Sequence, residues 1–99
     1  MDSKLATAAR FAGRVALVTG GASGIGRAVV DRLVREQGRA IVWDVDDSKL
    51  AACQAAHGDA VQTQRVDVTD DAAIQAALAT ALQRFGQLDT VVNGAGIVG

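Results

Sequence analysis

The run Thr19-Gly20-Gly21-Ala22-Ser23-Gly24-Ile25-Gly26 constrains this chain more than any other stretch. Before it lies Val15 to Thr19 (VALVT), an uninterrupted apolar run of the kind buried on both faces of a sheet. After it comes a stretch with helical periodicity. A chain leaving a buried strand and turning at once into a helix needs glycine at defined points. Gly20 supplies the tight turn. Gly24 lets backbone approach a bulky anion, and Gly26 lets the helix pack closely on the strand. The N–H groups at the helix start, from Ser23 through Ile25, lack intrahelical partners and sit at the positive end of the helix dipole. The predicted ligand is a pyrophosphate; a bare structural turn is the alternative. A mononucleotide P-loop is excluded, because no Lys-Ser or Lys-Thr follows the glycines.

The rest of the chain alternates strand and helix. The first helix is expected from about Ser23 to Gln37, with Ile25, Ala28, Val29 and Leu33 on its apolar face and Gly38 as the stop. Strand two is Arg39 to Asp44, and helix two runs from about Asp47 to Ala56, capped by Asp46 or Asp47. Strand three spans Ala60 to Asp67. Thr69 is expected to cap helix three, with Asp70 and Asp71 in its first turn and Ile74, Ala77, Leu78, Ala81, Leu82 and Phe85 facing inward. Strand four is Leu88 to Val92. Short connections imply parallel strands and right-handed crossovers. The predicted fold is a Rossmann-type α/β fold of three αβα layers, a partial doubly wound sheet in the order 3-2-1-4. Helices one and two share one face, helix three covers the other, and the ligand crevice falls between strands one and four. One domain is expected from residue 13 to 99, after a loose leader over residues 1 to 12.

Three further segments stand at strand ends beside that crevice. Asp44 closes strand two, where a carboxylate accepts from both hydroxyls of an adenosine ribose. A 2′-phosphate in the same place would meet a like charge. At 4 Å that costs about 4 kcal/mol at an effective dielectric of 20. Neither Val45 nor Ser23 is basic, so NAD is expected over NADP. Asp67 and Val68 end strand three, where the carboxylate could accept from an adenine amino group and the Val68 N–H could donate to a ring nitrogen. Asn93, Gly94, Ala95 and Gly96 follow strand four: small residues let the chain pass beneath the cofactor, and Asn93 can tie neighbouring strand ends together. Ordinary strand-end or loop roles are the alternatives at each. His57 is expected to partner the C-terminal dipole of helix two.

Composition enters mainly by exclusion. A net charge of −1 with interspersed signs gives no basic stripe for nucleic acid. No apolar window is long enough to span a membrane. The single cysteine, Cys53, leaves no internal disulfide and no metal-ligand pair, so a packing role and a cytoplasmic setting are expected.

Together the motifs resemble the short-chain dehydrogenase/reductase family, in the subgroup with a TGxxxGxG loop. The resemblance rests on Thr19 to Gly26, Asp44, Asp67-Val68 and Asn93-Gly94-Ala95-Gly96-Ile97, and runs from about Arg14 onward. Gly94 stands where a second asparagine is commoner. The resemblance implies a parent enzyme, expected to be a homo-oligomer well over twice this length. It would move a hydride between NAD and an unidentified alcohol or carbonyl substrate. The family's catalytic Asn, Ser, Tyr and Lys lie beyond the NNAG-like stretch and have no counterparts here: Asn93 and Ser23 are not those residues, and there is no tyrosine. The chain is therefore expected to be the cofactor-binding portion of such an enzyme. The alternatives are a stand-alone, non-catalytic nucleotide-binding module and a half-enzyme completed by a second chain.

Overall fold

A computed structural model of the chain describes residues 12–94; of the expected leader, residues 1 to 11 lie outside them. The elements are β1 (Val15–Thr19), α1 (Gly24–Arg35), β2 (Arg39–Asp44), α2 (Asp47–His57), a 3-10 turn (Gly58–Ala60), β3 (Val61–Arg65), α3 (Asp71–Phe85) and β4 (Thr90–Asn93). All strand pairs are parallel and the sheet order is β3-β2-β1-β4. In register, Thr19 faces Trp43 on one side and Asn93 on the other.

Alternation along β1 and β2 sends side chains to two cores. Ala16, Val18, Ala40 and Val42 pack with Val30 and Leu33 of α1 and with Leu50 and Cys53 of α2. Val15, Leu17, Ile41 and Trp43 pack with Val66 and with Ile74, Ala77, Leu78, Ala81 and Phe85 of α3. The three expected layers are thus present, with α1 and α2 on one face and α3 on the other. Both central strands are apolar along nearly their whole length because both faces are covered. β3, at an edge, carries Gln62, Thr63 and Gln64 instead.

Several local expectations shift. Of the expected apolar face of α1, Leu33 is buried and Val29 packs against the core, whereas Ile25 is 53% exposed and Ala28 is exposed; Gly26 and Val30 complete the inward face. Close contact at Gly26 rotates the helix so that Ile25 points outward. Helix α1 ends at Arg35, and Gln37 at φ +68°, not Gly38, takes the left-handed position that stops it. Gly38 donates to the Leu33 carbonyl and Gln37 to that of Val34, which closes the helix end. The cap of α3 is Asp70, whose Oδ1 accepts from the Ala73 N–H at 3.1 Å. Thr69 lies one residue before that cap, and its N–H and hydroxyl both donate to Asp67 Oδ1. β4 starts at Thr90, later than expected: Asp89 meets the start of β1 with its side chain, accepting the Val15 N–H at 2.8 Å, while its own N–H donates to the Val15 carbonyl. Leu88 turns into the α3-side core.

Candidate functional site

β1 delivers the glycine-rich loop to the C-terminal edge of the sheet, and the backbone there does what glycine permits. Gly20 at φ +65° turns the chain out of the strand. A side chain on Gly26 would fall on the Gly20 carbonyl, so α1 reaches the strand this closely only without one. Gly24, at φ +50°, faces open space, which leaves its backbone accessible to a ligand. Gly94, at the end of β4, lies against the same loop: a Cβ there would stand 2.5 Å from the Thr19 carbonyl oxygen and 3.2 Å from Gly26 Cα. That contact explains why this chain dispenses with a larger residue at position 94. Ala95 and Gly96, with Ile97, lie outside the described residues.

The helix starting at this loop is also open to an anion. Ser23 occupies the N-cap position of α1 in extended conformation, yet its side chain makes no capping bond, and the first turn contains no acidic residue. In contrast, α2 and α3 are each capped by an aspartate, Asp46 and Asp70. The Ser23 hydroxyl instead donates to Asp44 Oδ2 at 3.0 Å.

Asp44, 8% exposed at the end of β2, organises the site. Its Oδ2 accepts from the Ala22 N–H at 3.1 Å as well as from Ser23. Its Oδ1 accepts from the N–H groups of Val45 at 2.8 Å and Asp46 at 3.1 Å. The carboxylate thus braces the glycine loop of β1 against the end of β2, a role the sequence does not reveal. Asp67 lies beyond β3 and is exposed. Its carboxyl is held below the ordinary range by the Thr69 hydroxyl and then the Thr69 N–H, both bonded to Oδ1. At the other side of the crevice the Thr19 hydroxyl donates to Asn93 Oδ1 at 2.9 Å, joining the ends of β1 and β4.

Gly20, Asp44 and Asp67 belong to a cleft of about 110 Å³ that is lined also by Trp43, Val45, Val66 and Val68. Five of the seven are candidates from the sequence. Trp43 and Val66 are the additions, and the strand register alone could have suggested Trp43, the residue before Asp44. Whole small-molecule sites usually occupy about 300–1,000 Å³. A cleft this size suits one end of a dinucleotide. Its chemistry fits an adenosine moiety: apolar walls from Val45, Val66, Val68 and Trp43, with carboxylates on Asp44 and Asp67 to accept from hydroxyl or amino groups. Arg65, the β3 register partner of Asp44, was not anticipated. Its Nε donates to the Val45 carbonyl at 3.3 Å and stands 3.7 Å from Asp47 Oδ1.

His57 and Cys53 fall away from this site. His57 Nε2 lies 2.6 Å from Asp31 Oδ1, joining α2 to α1 instead of serving its own helix end alone. Asp31 also accepts from Arg27 Nε at 2.8 Å. Burial opposes ionisation of Asp31, but the bonds from Arg27 and His57 outweigh it and hold the carboxyl below its ordinary value. Cys53 is fully buried in the α1–α2 core, and that burial raises its thiol pKa. Among the described residues no three metal-ligating side chains are gathered, and no helix is long and apolar enough to cross a membrane.

The sequence profile of the family described as "short chain dehydrogenase" matches residues 14–99. The chain is 44% identical over 92 residues to 2-dehydro-3-deoxy-L-rhamnonate dehydrogenase (NAD(+)) from Sphingomonas sp. (strain SKA58), covering 93% of this chain and 36% of that protein. Among solved structures it resembles 3-ketoacyl-(acyl-carrier-protein) reductase from Brucella melitensis complexed with NADH, at a TM-score of 0.78 and 30% identity over 81% of this chain and 33% of that one. It also resembles the C-domain of a bacterial malonyl-CoA reductase with NADP, at a TM-score of 0.84 and 30% identity over 96% of this chain and 16% of that one. The chain thus spans about a third of the length of the relative from Sphingomonas.

Proposed function

This chain belongs to the short chain dehydrogenase family, and from that premise we propose that it is the NAD-binding portion of an oxidoreductase acting on an alcohol or carbonyl substrate. When bound, the dinucleotide supplies a hydride acceptor or donor at its nicotinamide ring. The residues present bind and orient the other end. The uncapped start of α1 and the open backbone at Gly24 hold the pyrophosphate. Asp44 accepts from a ribose hydroxyl, and Val45, Val66 and Val68 enclose the adenine while Asp67 and the Val68 N–H address its polar edge. Thr19 and Asn93 keep the ends of β1 and β4 together beneath the ligand.

The observation that carries the preference for NAD is the buried Asp44 carboxylate at the cleft. A 2′-phosphate would be placed against it, and the nearest cation on the facing strand, Arg65, is turned toward Val45 and Asp47. Changing Asp44→Ala removes the repulsion and the acceptor together. NAD binding should weaken by about tenfold or more, and the preference over NADP should narrow. Calorimetric titration of both dinucleotides checks this; an unchanged preference would remove Asp44 from the ribose site. Hydride transfer itself, and the groups that donate and accept its proton, belong to the proposal for the whole protein and not to residues described in this chain.

A further inference from the structure

We propose that Ser23 is a specificity-determining place-holder: in the free protein its hydroxyl occupies the Asp44 oxygen that a ribose hydroxyl takes in the complex. This rests on the reading of Asp44 as the ribose acid. An ionised carboxylate offers about four acceptor positions, and four protein donors fill them: the N–H groups of Ala22, Val45 and Asp46, and the Ser23 hydroxyl. No position is left for a ribose hydroxyl unless one donor withdraws. Three of the four are backbone groups fixed by the loop and the strand end. Only the Ser23 hydroxyl can leave by rotating one side-chain bond.

A second observation singles out the same group. Ser23 stands where a serine ordinarily caps the helix, yet it forgoes that bond for Asp44, while both other helices are capped. Its position therefore completes Asp44 and leaves the start of α1 uncovered at the same time. The free site is thereby pre-formed for both ligand features, phosphate at the helix and hydroxyl at the carboxylate, with no acceptor left unsatisfied while it waits.

Exchange of one hydroxyl for another has a consequence for selectivity. When a ligand lacks both ribose hydroxyls, Ser23 stays on Asp44 and little is lost. The protein should therefore discriminate weakly between ribose and 2′,3′-dideoxyribose. In Ser23→Ala the carboxylate is a donor short, and a ribose hydroxyl completes it. An unsatisfied acceptor at a largely buried group is costly, so the ratio of ADP to 2′,3′-dideoxy-ADP affinity should rise about tenfold.

The test is calorimetric titration of the full chain with ADP and 2′,3′-dideoxy-ADP, in the wild type, Ser23→Ala, Ser23→Thr and the Ser23→Ala/Asp44→Ala pair. The ratio should rise in Ser23→Ala, return to the wild-type value in Ser23→Thr, and lose its rise in the double variant. Ser23→Cys, a weak donor of similar size, replaces the alanine variant if that fails to fold. A ratio unchanged in Ser23→Ala, with Asp44→Ala still narrowing the preference for NAD over NADP, overturns the place-holder and spares Asp44. If Asp44→Ala leaves that preference unchanged, the ribose reading falls, and the place-holder with it.

Discussion

At Gly26 the addition of one methyl group would drive it into the Gly20 carbonyl, whereas at Gly24 the same methyl would enter open space. The two positions therefore separate folding from binding. Gly26→Ala should destabilise the chain by about 1–3 kcal/mol through overpacking against backbone and displace the loop. Gly24→Ala should cost about 1–2 kcal/mol, from its left-handed φ alone, with its larger effect on dinucleotide affinity. Thermal melts and NAD titrations on both variants check the contrast, which an unchanged NAD affinity in Gly24→Ala would contradict. The positions of these glycines are readable in the sequence because a strand running straight into a helix leaves few ways to turn. The donors that converge on Asp44 are not readable, since Ala22 and Ser23 lie more than twenty residues away and meet it only through the β1–β2 register. The Asp67–Thr69 pair was hidden for another reason: it competes with the helix cap two residues on, and spacing alone does not say which wins.

Helix ends carry the clearest effects at the level of single elements. Gln37 sits at φ +68° in the turn after α1, where a Cβ is strained. Gln37→Gly should stabilise the chain by about 1 kcal/mol, read as a raised melting temperature. Asp70→Ala should lose about 0.5–2 kcal/mol with the α3 cap. Acid sensitivity follows from three depressed carboxyls: Asp31 between α1 and α2, Asp67 after β3 and Asp89 at the start of β1. A carboxyl lowered in the folded state binds fewer protons there than in the unfolded chain. Its stabilisation is complete above the ordinary value near 3.8 and is lost as pH falls through the depressed one. The melting temperature should therefore drop steeply below about pH 4, and Asp31→Asn should flatten that drop. Strand β2 coincides with its expected span because both faces are buried. β4 starts later than expected because the Asp89 side chain takes the Val15 N–H; β3 ends at Arg65, after which Val66 still donates to the Asp44 carbonyl and Asp67 turns to Thr69.

In the molecule as a whole, among the described residues, the two edges of the sheet differ in character. β3 is an edge strand of mixed polarity, but β4 presents Val91 at 58% exposure, and Leu82 of α3 is exposed nearby in sequence. An edge strand with an exposed apolar side chain favours association with another strand. The 99-residue chain by itself should self-associate, and equilibrium sedimentation should show species above 10.1 kDa. A reversible, cooperative melt of a monomer would contradict this. The layer order was legible because strand–helix alternation admits few parallel topologies. Trp43 adds something of a different kind. It is the only tryptophan in a chain without tyrosine, 3% exposed, bonded through Nε1 to Gln64 at 2.8 Å, and part of the cleft wall beside Asp44. Ultraviolet absorption near the red edge of the protein band thus comes from one indole at the mouth of the site. Its emission colour reports whether the sheet is intact, and its intensity responds to whatever enters the cleft, so this chain carries its own optical probe without any label.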